Sequence, residues 1–341
     1  MSPIRIAIVG SGLFVEDAHV PSLLALPDAF RIVAICSRTR AGAERLAATL
    51  PYPVEASDDL DALLRRDDID AVDLAVPIAA MPGALRKALA SGKHVFSEKP
   101  IAPDCSVGRE LIALHQKNPR QIWMVGENWR LEPAFVRAAW LIAAGAIGTP
   151  RGAQWTNFAP LRPSDRYYAT EWRRSRANDS GLILDGGVHH AAVLRLLLGE
   201  PAAVGAVIAL QRPDLPPYDT VAATIEFRSG AIATYLVTYA FDAPWPSPLV
   251  VVGDAGALRV DTRSVALTNG GGTVTESFES IHFAVVDEFR LFAEAVRSGR
   301  LAENAPAAAL RDVALVEAIM HAARSGEKVA LADPAAPPSD G

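Results

Sequence analysis

Cysteine is nearly absent: the 341 residues hold two, Cys36 and Cys105, in neither a CxxC nor a metal-type spacing. That usage excludes a disulfide framework and a thiolate metal centre, and it leaves both as reduced, structural thiols. Long Lys/Arg runs are missing too, and the formal net charge is −6 with an isoelectric point near 5.7. Nucleic acid and anionic membrane are therefore not expected partners. Apolar stretches are broken by charge, Pro or Gly before the ~18–20 residues that a membrane span needs. Met1-Ser2-Pro3-Ile4-Arg5 passes straight into a strand pattern with no basic-then-apolar leader, so a cytoplasmic location is expected. No repeat with a period of ~20–50 residues shows. What remains is an ordinary globular composition, 50% hydrophobic and 21% charged, at a length that suggests two domains.

The first half alternates strand and helix patterns. Ile4 to Val9 is a β-type run interrupted only by Arg5, and it enters Gly10-Ser11-Gly12 directly, followed by an apolar helix around Val20 to Leu26. Strand, Gly-x-Gly and helix in that order make a dinucleotide-binding turn: one glycine for the tight bend, one for close approach of a pyrophosphate, and helix donors for its oxygens. Further strands are expected at Arg31 to Cys36, Ala71 to Val76, His94 to Ser97 and Gln121 to Val125. Helices are expected at 40–50, 58–66, 81–90 and 107–116. This alternation predicts a doubly wound parallel sheet, a Rossmann domain over 1–125. The second strand ends in Cys36-Ser37-Arg38-Thr39, where an acid would accept from the ribose hydroxyls of NAD. Hydroxyls and a guanidinium suit a ribose 2′-phosphate instead, so NADP is expected over NAD. Ser97-Glu98-Lys99-Pro100 closes another strand, which places Lys99 at the carboxyl edge of the sheet to polarise a substrate oxygen.

The second half, 126–330, reads as an α/β domain, with 331–341 a small, Pro-rich tail expected to be disordered. Gly126-Glu127-Asn128-Trp129-Arg130 leaves the last Rossmann strand. Asn128 and Arg130 suit substrate hydroxyls or a nicotinamide amide, and a plain hinge role fits equally. The stretch 161–180 is a polar loop with aromatics and arginines, suited to a sugar ring or to a subunit contact. Asp185-Gly186-Gly187-Val188-His189-His190 opens an apolar helix that runs to Leu198. Asp185 and His189 stand at i and i+4, on one helical face, and a carboxylate beside an imidazole holds the ring ready for proton transfer near neutral pH. Later segments from Ala202 to Val260 fit a meandering antiparallel sheet, and 283–297 and 307–325 fit two amphipathic helices.

Gly10-Ser11-Gly12, Glu98-Lys99-Pro100, Trp172-Arg173, Asp185-Gly186-Gly187-Val188-His189 and Gly253-Asp254-Ala255-Gly256-Ala257-Leu258 together resemble the Gfo/Idh/MocA oxidoreductases over nearly the whole chain. The resemblance implies a Rossmann domain followed by an α/β domain with a large, mostly antiparallel sheet that builds a homodimer or homotetramer. It implies a small-molecule substrate, a sugar or polyol, and the catalytic set Lys99, Asp185 and His189. With the turns read above, it implies cofactor contacts at Gly10, Gly12, Leu13, Phe14, Ser37, Arg38, Pro77, Glu98, Lys99, Asn128, Trp172 and Arg173. Substrate contacts are expected from Lys99, Arg130, Trp172 and His190, and no metal is expected. The sequence departs from the family in three places. The stretch from Gly12 to His19 is one residue longer and has Val15 where a small residue is common. Ala192 stands where an Asp is common, with His190 as a second imidazole. Ser180-Gly181 stands where several glycines are common.

The expected activity is an NADP-preferring dehydrogenase or reductase of a sugar, cyclitol or dihydrodiol, with NAD as the other possible cofactor. His189 would take the hydroxyl proton, Asp185 would orient it, and Lys99 would stabilise charge on the oxygen. Two other classes share the fold: a hydrolase that keeps NAD bound and cleaves glycosides, and a dinucleotide-binding sensor. Glycoside cleavage without net cofactor change marks the first, and binding without turnover marks the second.

Overall fold

A computed structural model describes residues 2–174, 181–280, 282–301 and 304–334. The chain folds as two compact units, one formed by 1–128 with 281–310 and the other by 129–280 with 311–341.

In the first unit, six short segments make one parallel sheet: β1 (Ile4–Val9), β2 (Phe30–Cys36), β3 (Glu55–Ser57), β4 (Ala71–Leu74), β5 (His94–Glu98) and β6 (Trp123–Gly126). Their order is β3-β2-β1-β4-β5-β6, so the chain reverses direction across the sheet between β1 and β4. The apolar runs of β1 and β4 are buried throughout apart from Arg5, as strands covered on both faces require. β3 escapes the sequence pattern because it is short, polar and at an edge. A π-helical turn, Val15–His19, leads into α1 (Val20–Leu24). A π-turn takes one residue more than an α-turn, which accounts for the lengthened Gly12-to-His19 stretch. The helices α2 (Arg40–Ala47), α3 (Leu60–Leu64), α4 (Met81–Ser91) and α5 (Cys105–His115) alternate with the strands. Thr39, Asp59 and Asp104 cap α2, α3 and α5 with side-chain oxygens.

The unit's second segment was expected in the other domain. Val285, Phe289, Phe292 and Ala295, on the buried stripe of a helix set out below, join Ile6, Ile8, Phe30 and Phe96 in one core. A stripe with this spacing needs an apolar partner, and the sheet of the first unit supplies it.

The second unit carries α6 (Pro133–Ala143), β7 (Pro150–Phe158), α7 (Gly181–Leu198), β8 (Pro201–Ala209), β9 (Thr220–Phe227), β10 (Ile232–Thr238), β11 (Leu249–Gly253), β12 (Gly256–Val260), β13 (Ser264–Asn269) and β14 (Gly272–Ser277). After α8 (Val285–Ser298) of the first unit, α9 (Pro306–Ser325) crosses the division and β15 (Val329–Ala330) ends the series. The nine strands β7 to β15 lie in the order β14-β13-β12-β11-β7-β10-β9-β8-β15, with β7 and β10 parallel and the other described pairs antiparallel. α7 does not open at Asp185: it already runs from Gly181, because Leu182, Ile183 and Leu184 are buried and extend its apolar face. α7 is long and apolar enough to cross a membrane by composition, yet 72% of that stretch is buried inside the protein, which makes it a core helix. Ser180 with the end of the 161–180 loop, and the tail from 335 onward, lie outside the described residues.

Candidate active site

The dinucleotide turn of the first unit is shaped by two glycines with different reasons. Gly10 has φ +130°, and a Cβ there would stand 2.1 Å from the Ala75 carbonyl oxygen at the end of β4. Only glycine allows both that backbone angle and that approach. A Cβ on Gly12 would meet nothing within 4 Å, so the loop leaves open room beside the start of the helix, as a pyrophosphate requires. Leu13 and Phe14 follow, both half-buried. Ser11 and Ser37 hydroxyls are 2.8 Å apart, and a Cβ on Gly42 would lie 3.0 Å from each and 3.1 Å from the Thr39 hydroxyl. Three hydroxyls thus converge at the start of α2, and Arg38 is exposed next to them. No carboxylate stands at 37–39. These groups fit a phosphate-bearing dinucleotide.

Pro77 is exposed and its carbonyl accepts from Ala80 and Met81, starting the turn into α4. Glu98 ends β5 and Lys99 follows it, both half-buried. Asn128, expected at the cofactor, is buried with its amide donating to the Phe283 carbonyl at 2.8 Å. It braces the backbone ahead of α8 instead.

Two groups escaped the sequence reading here. His19 and Asp73 are fully buried, with His19 Nδ1 2.8 Å from Asp73 Oδ2 and Nε2 3.1 Å from Glu98 Oε1. A histidine on the apolar side of the first helix was the available signal. Its two partners come from β4 and β5, which only the folded sheet brings together.

In the second unit, α7 presents Asp185 and His189 half-buried on one face, as the i,i+4 spacing predicts. Arg173 Nε donates to Asp185 Oδ2 at 3.0 Å and Nη1 to Thr170 Oγ1 at 2.9 Å. The same guanidinium lies 4.1 Å over the Trp172 ring and 5.1 Å over Tyr167. Trp172 and Arg173 are thus gathered around Asp185, and the ion pair and flat rings hold that carboxylate in place. The His189 ring stacks on Trp129, with centroids 5.1 Å apart and planes 17° from parallel. Trp129, which makes this contact, was not singled out from the sequence, where its neighbours Asn128 and Arg130 were.

The glycines of the motif answer to partners far along the chain. A Cβ on Gly186 would stand 1.9 Å from the Tyr239 hydroxyl, and one on Gly187 would stand 3.2 Å from Val316 of α9. Gly186 therefore admits the end of Tyr239 against the helix, and Gly187 lets α9 approach. The Tyr239 hydroxyl is buried without a hydrogen-bond partner among the described residues. Burial, then the nearby Asp185 charge, push its pKa above the usual phenol value against the pull of Arg173.

Two expected substrate contacts are corrected. His190, one residue past His189, turns about 100° around the helix and is buried, with Nδ1 2.7 Å from the Tyr235 hydroxyl and Nε2 2.8 Å from the Asn157 amide nitrogen. It is a satisfied core histidine. Arg130 donates to Asp312 in a buried ion pair shared with Arg195, so its guanidinium is part of the interior. Among the described residues no cluster of His, Cys, Asp and Glu could hold a metal ion.

Comparison with known proteins agrees with this fold. Residues 4–126 match the family described as "Oxidoreductase family, NAD-binding Rossmann fold", and residues 135–259 match the "GFO/IDH/MocA C-terminal domain". The chain is 30% identical over 339 residues to dehydrogenase FPY6 of Fusarium mangiferae, covering 94% of this chain and 96% of that one. It is 28% identical over 312 residues to inositol 2-dehydrogenase of Mycolicibacterium gilvum, covering 88% and 84%. The crystal structure of an oxidoreductase from Thermotoga maritima superposes with a TM-score of 0.89 at 32% identity, covering 96% of this chain and 98% of that one.

Proposed function

The chain belongs to the Gfo/Idh/MocA family of NAD-binding Rossmann-fold oxidoreductases, and on that premise we propose that it transfers hydride between NADP and a hydroxyl-bearing carbon of a sugar, cyclitol or dihydrodiol. The observation that carries the reading is His189, stacked on Trp129 and sharing one helical face with an Asp185 that Arg173 holds. When bound, the nicotinamide ring takes up or returns hydride. Gly10, Gly12, Ser37 and Arg38 would hold the nucleotide, the last two at its 2′-phosphate, where a planar guanidinium grips well. His189 accepts the proton of the substrate hydroxyl, with Asp185 keeping the ring oriented. Lys99 offsets negative charge as it develops on that oxygen. Trp172 and Tyr167, flat rings beside Asp185, suit the apolar face of a sugar.

The test is turnover with NADP and with NAD on a panel of aldoses, inositols and dihydrodiols, followed as nicotinamide absorbance. We expect NADP to be preferred and Lys99→Ala to lower kcat by about a hundredfold, the scale of one lost charge-stabilising group. Better turnover with NAD would overturn the cofactor assignment, and full activity in Lys99→Ala would overturn the role of Lys99.

We further propose that the outer face of the nine-stranded sheet joins copies of the chain into a homodimer or homotetramer. Gly205, Val207, Ala222, Thr224, Thr234 and Leu236 share that face, uncharged and small, with Val207 67% exposed. An apolar patch of this kind marks an interface. Sedimentation velocity should give a dimer or tetramer that Val207→Glu weakens; a wild-type monomer at micromolar concentration would sink the proposal.

A further inference from the structure

The first unit buries a chain of three ionisable groups that the mechanism above leaves unused. His19 is fully buried in a cage of aromatic edges, with Phe14, Phe289 and Phe96 centroids at 5.3, 5.5 and 5.9 Å. Its two ring nitrogens face two carboxylates, Asp73 at 2.8 Å and Glu98 at 3.1 Å. A neutral imidazole donates from one nitrogen only, so it would set a lone pair against one of them. An imidazolium donates to both. Burial alone would lower the His19 pKa, but the Asp73 and Glu98 carboxylates outweigh it and raise it to about 10. Asp73 has no exposed atom through which to act, and its Oδ1 lacks a partner among the described residues. Glu98 is different: its side chain is 13% exposed, at the carboxyl end of β5, and Oε2 is not engaged within the described residues.

The position of that oxygen suggests its use. In a sheet of order 3-2-1-4-5-6, a dinucleotide lies across the reversal between β1 and β4. Ser37 and Arg38 follow the end of β2, on the adenosine side, and Glu98 ends β5, on the side left for nicotinamide. Burial pushes the Asp73 carboxyl up, against the pull of the His19 ring, and with His19 protonated and both carboxylates ionised the three groups sum to one negative charge in a poorly solvated place. Oxidised nicotinamide carries a positive charge on its ring, and the reduced form carries none.

We propose that Asp73, His19 and Glu98 form a positioning relay, in which the buried ring of His19 fixes Glu98 so that Oε2 offers one net negative charge to the nicotinamide end of the cofactor and favours its oxidised form. His19 and Asp73 act only through Glu98. The proposal rests on the cofactor reading above, and its tests separate the two.

The first test needs no cofactor: nitrogen-15 NMR of the His19 ring in the whole 341-residue chain. Both nitrogens should stay protonated from about pH 6 to 8.5, a range that spans ordinary histidine titration. Among the described residues, the groups facing the ring are Asp73, Glu98 and the three phenylalanines, and the two carboxylates are the charges it meets. A neutral tautomer in that range would overturn the relay. The second test is direct binding of NADP+ and NADPH. Glu98→Gln should weaken the oxidised form relative to the reduced form by about tenfold, equivalent to about 30 mV for a two-electron couple. Equal weakening of both forms, or no change, would overturn the proposal, since lost packing does not sense ring charge. Asp73→Asn is the third arm: with one carboxylate gone, His19 should titrate, and the affinity ratio should become pH-dependent where the wild type is flat. A ratio that stays flat would overturn the part assigned to His19. A wild type that bound neither nucleotide would overturn the cofactor reading and this one together, whereas normal binding beside a neutral His19 overturns this one alone.

Discussion

Replacing His189 with asparagine should lower kcat for oxidation by about 10³-fold, within the 10²–10⁴ that a positioned general base contributes. Binding of NADP should change by less than about twofold, because the dinucleotide turn is built from other residues in the first unit. The expectation rests on how the ring is held. Trp129 stacks on its face at 5.1 Å, and α7 places it one turn from Asp185, whose carboxylate Arg173 fixes at 3.0 Å. A ring so restrained is already oriented before the substrate arrives, which is where most of the gain from a general base lies. Asp185→Asn should cost less than His189→Asn. The double variant should be no worse than His189→Asn alone, because residues that act as one unit are not additive. Losses that multiplied would show Asp185 and His189 to be working separately. A rate within tenfold of wild type in His189→Asn would move proton acceptance to another group.

How far the sequence could be read follows from the range over which each signal acts. β1, β2 and β4 were legible because strands covered on both faces need nearly continuous apolar runs. β13 and β14 were not: apart from the buried Val265 their side chains are half-buried or exposed, Thr268 and Thr273 meet at 2.9 Å through their hydroxyls, and a hairpin of that kind at a sheet edge shows little apolar alternation. The Asp185/His189 pair was legible because i,i+4 is a property of the helix itself. His190 and Arg130 misled because adjacency in sequence is not adjacency in space, and one step along a helix turns a side chain onto another face. Gly186, His19 and Asp73 depend on Tyr239, β4 and β5. Their reasons exist only once the chain has folded. The extra residue after Gly12 was visible as an anomaly, and its resolution as a π-turn was not, since the same insertion also fits a longer loop.

Asp312→Ala should be the most damaging single change away from the chemistry, at about 3–5 kcal/mol, the cost of removing one partner from a buried ion pair. Asp312 is 1% exposed and lies against two guanidiniums, Arg130 on one oxygen and Arg195 on the other. Arg195 is also held by Glu200, with Nε and Nη2 at 3.0 and 2.7 Å from its two oxygens. Removing the carboxylate leaves Arg195 its pair with Glu200 and takes from Arg130 its pair with Asp312. Desolvating a charge without its counterion is far more costly than losing a surface pair. The loss should appear as a lower urea midpoint at unchanged slope, because the folded unit and its exposed surface on unfolding stay the same. Asp312→Asn should retain the shape and still lose most of the stability, since the deficit is charge rather than volume. The informative control removes all three charges: Arg130→Met, Arg195→Met and Asp312→Leu together should recover to within about 1–2 kcal/mol of wild type, as buried ion networks replaced by apolar groups often do. If the triple variant were as unstable as Asp312→Ala, the network would be a source of stability in its own right. If Asp312→Ala itself unfolded at the wild-type midpoint, water would have to reach the two guanidiniums, and the burial on which the argument stands would be wrong.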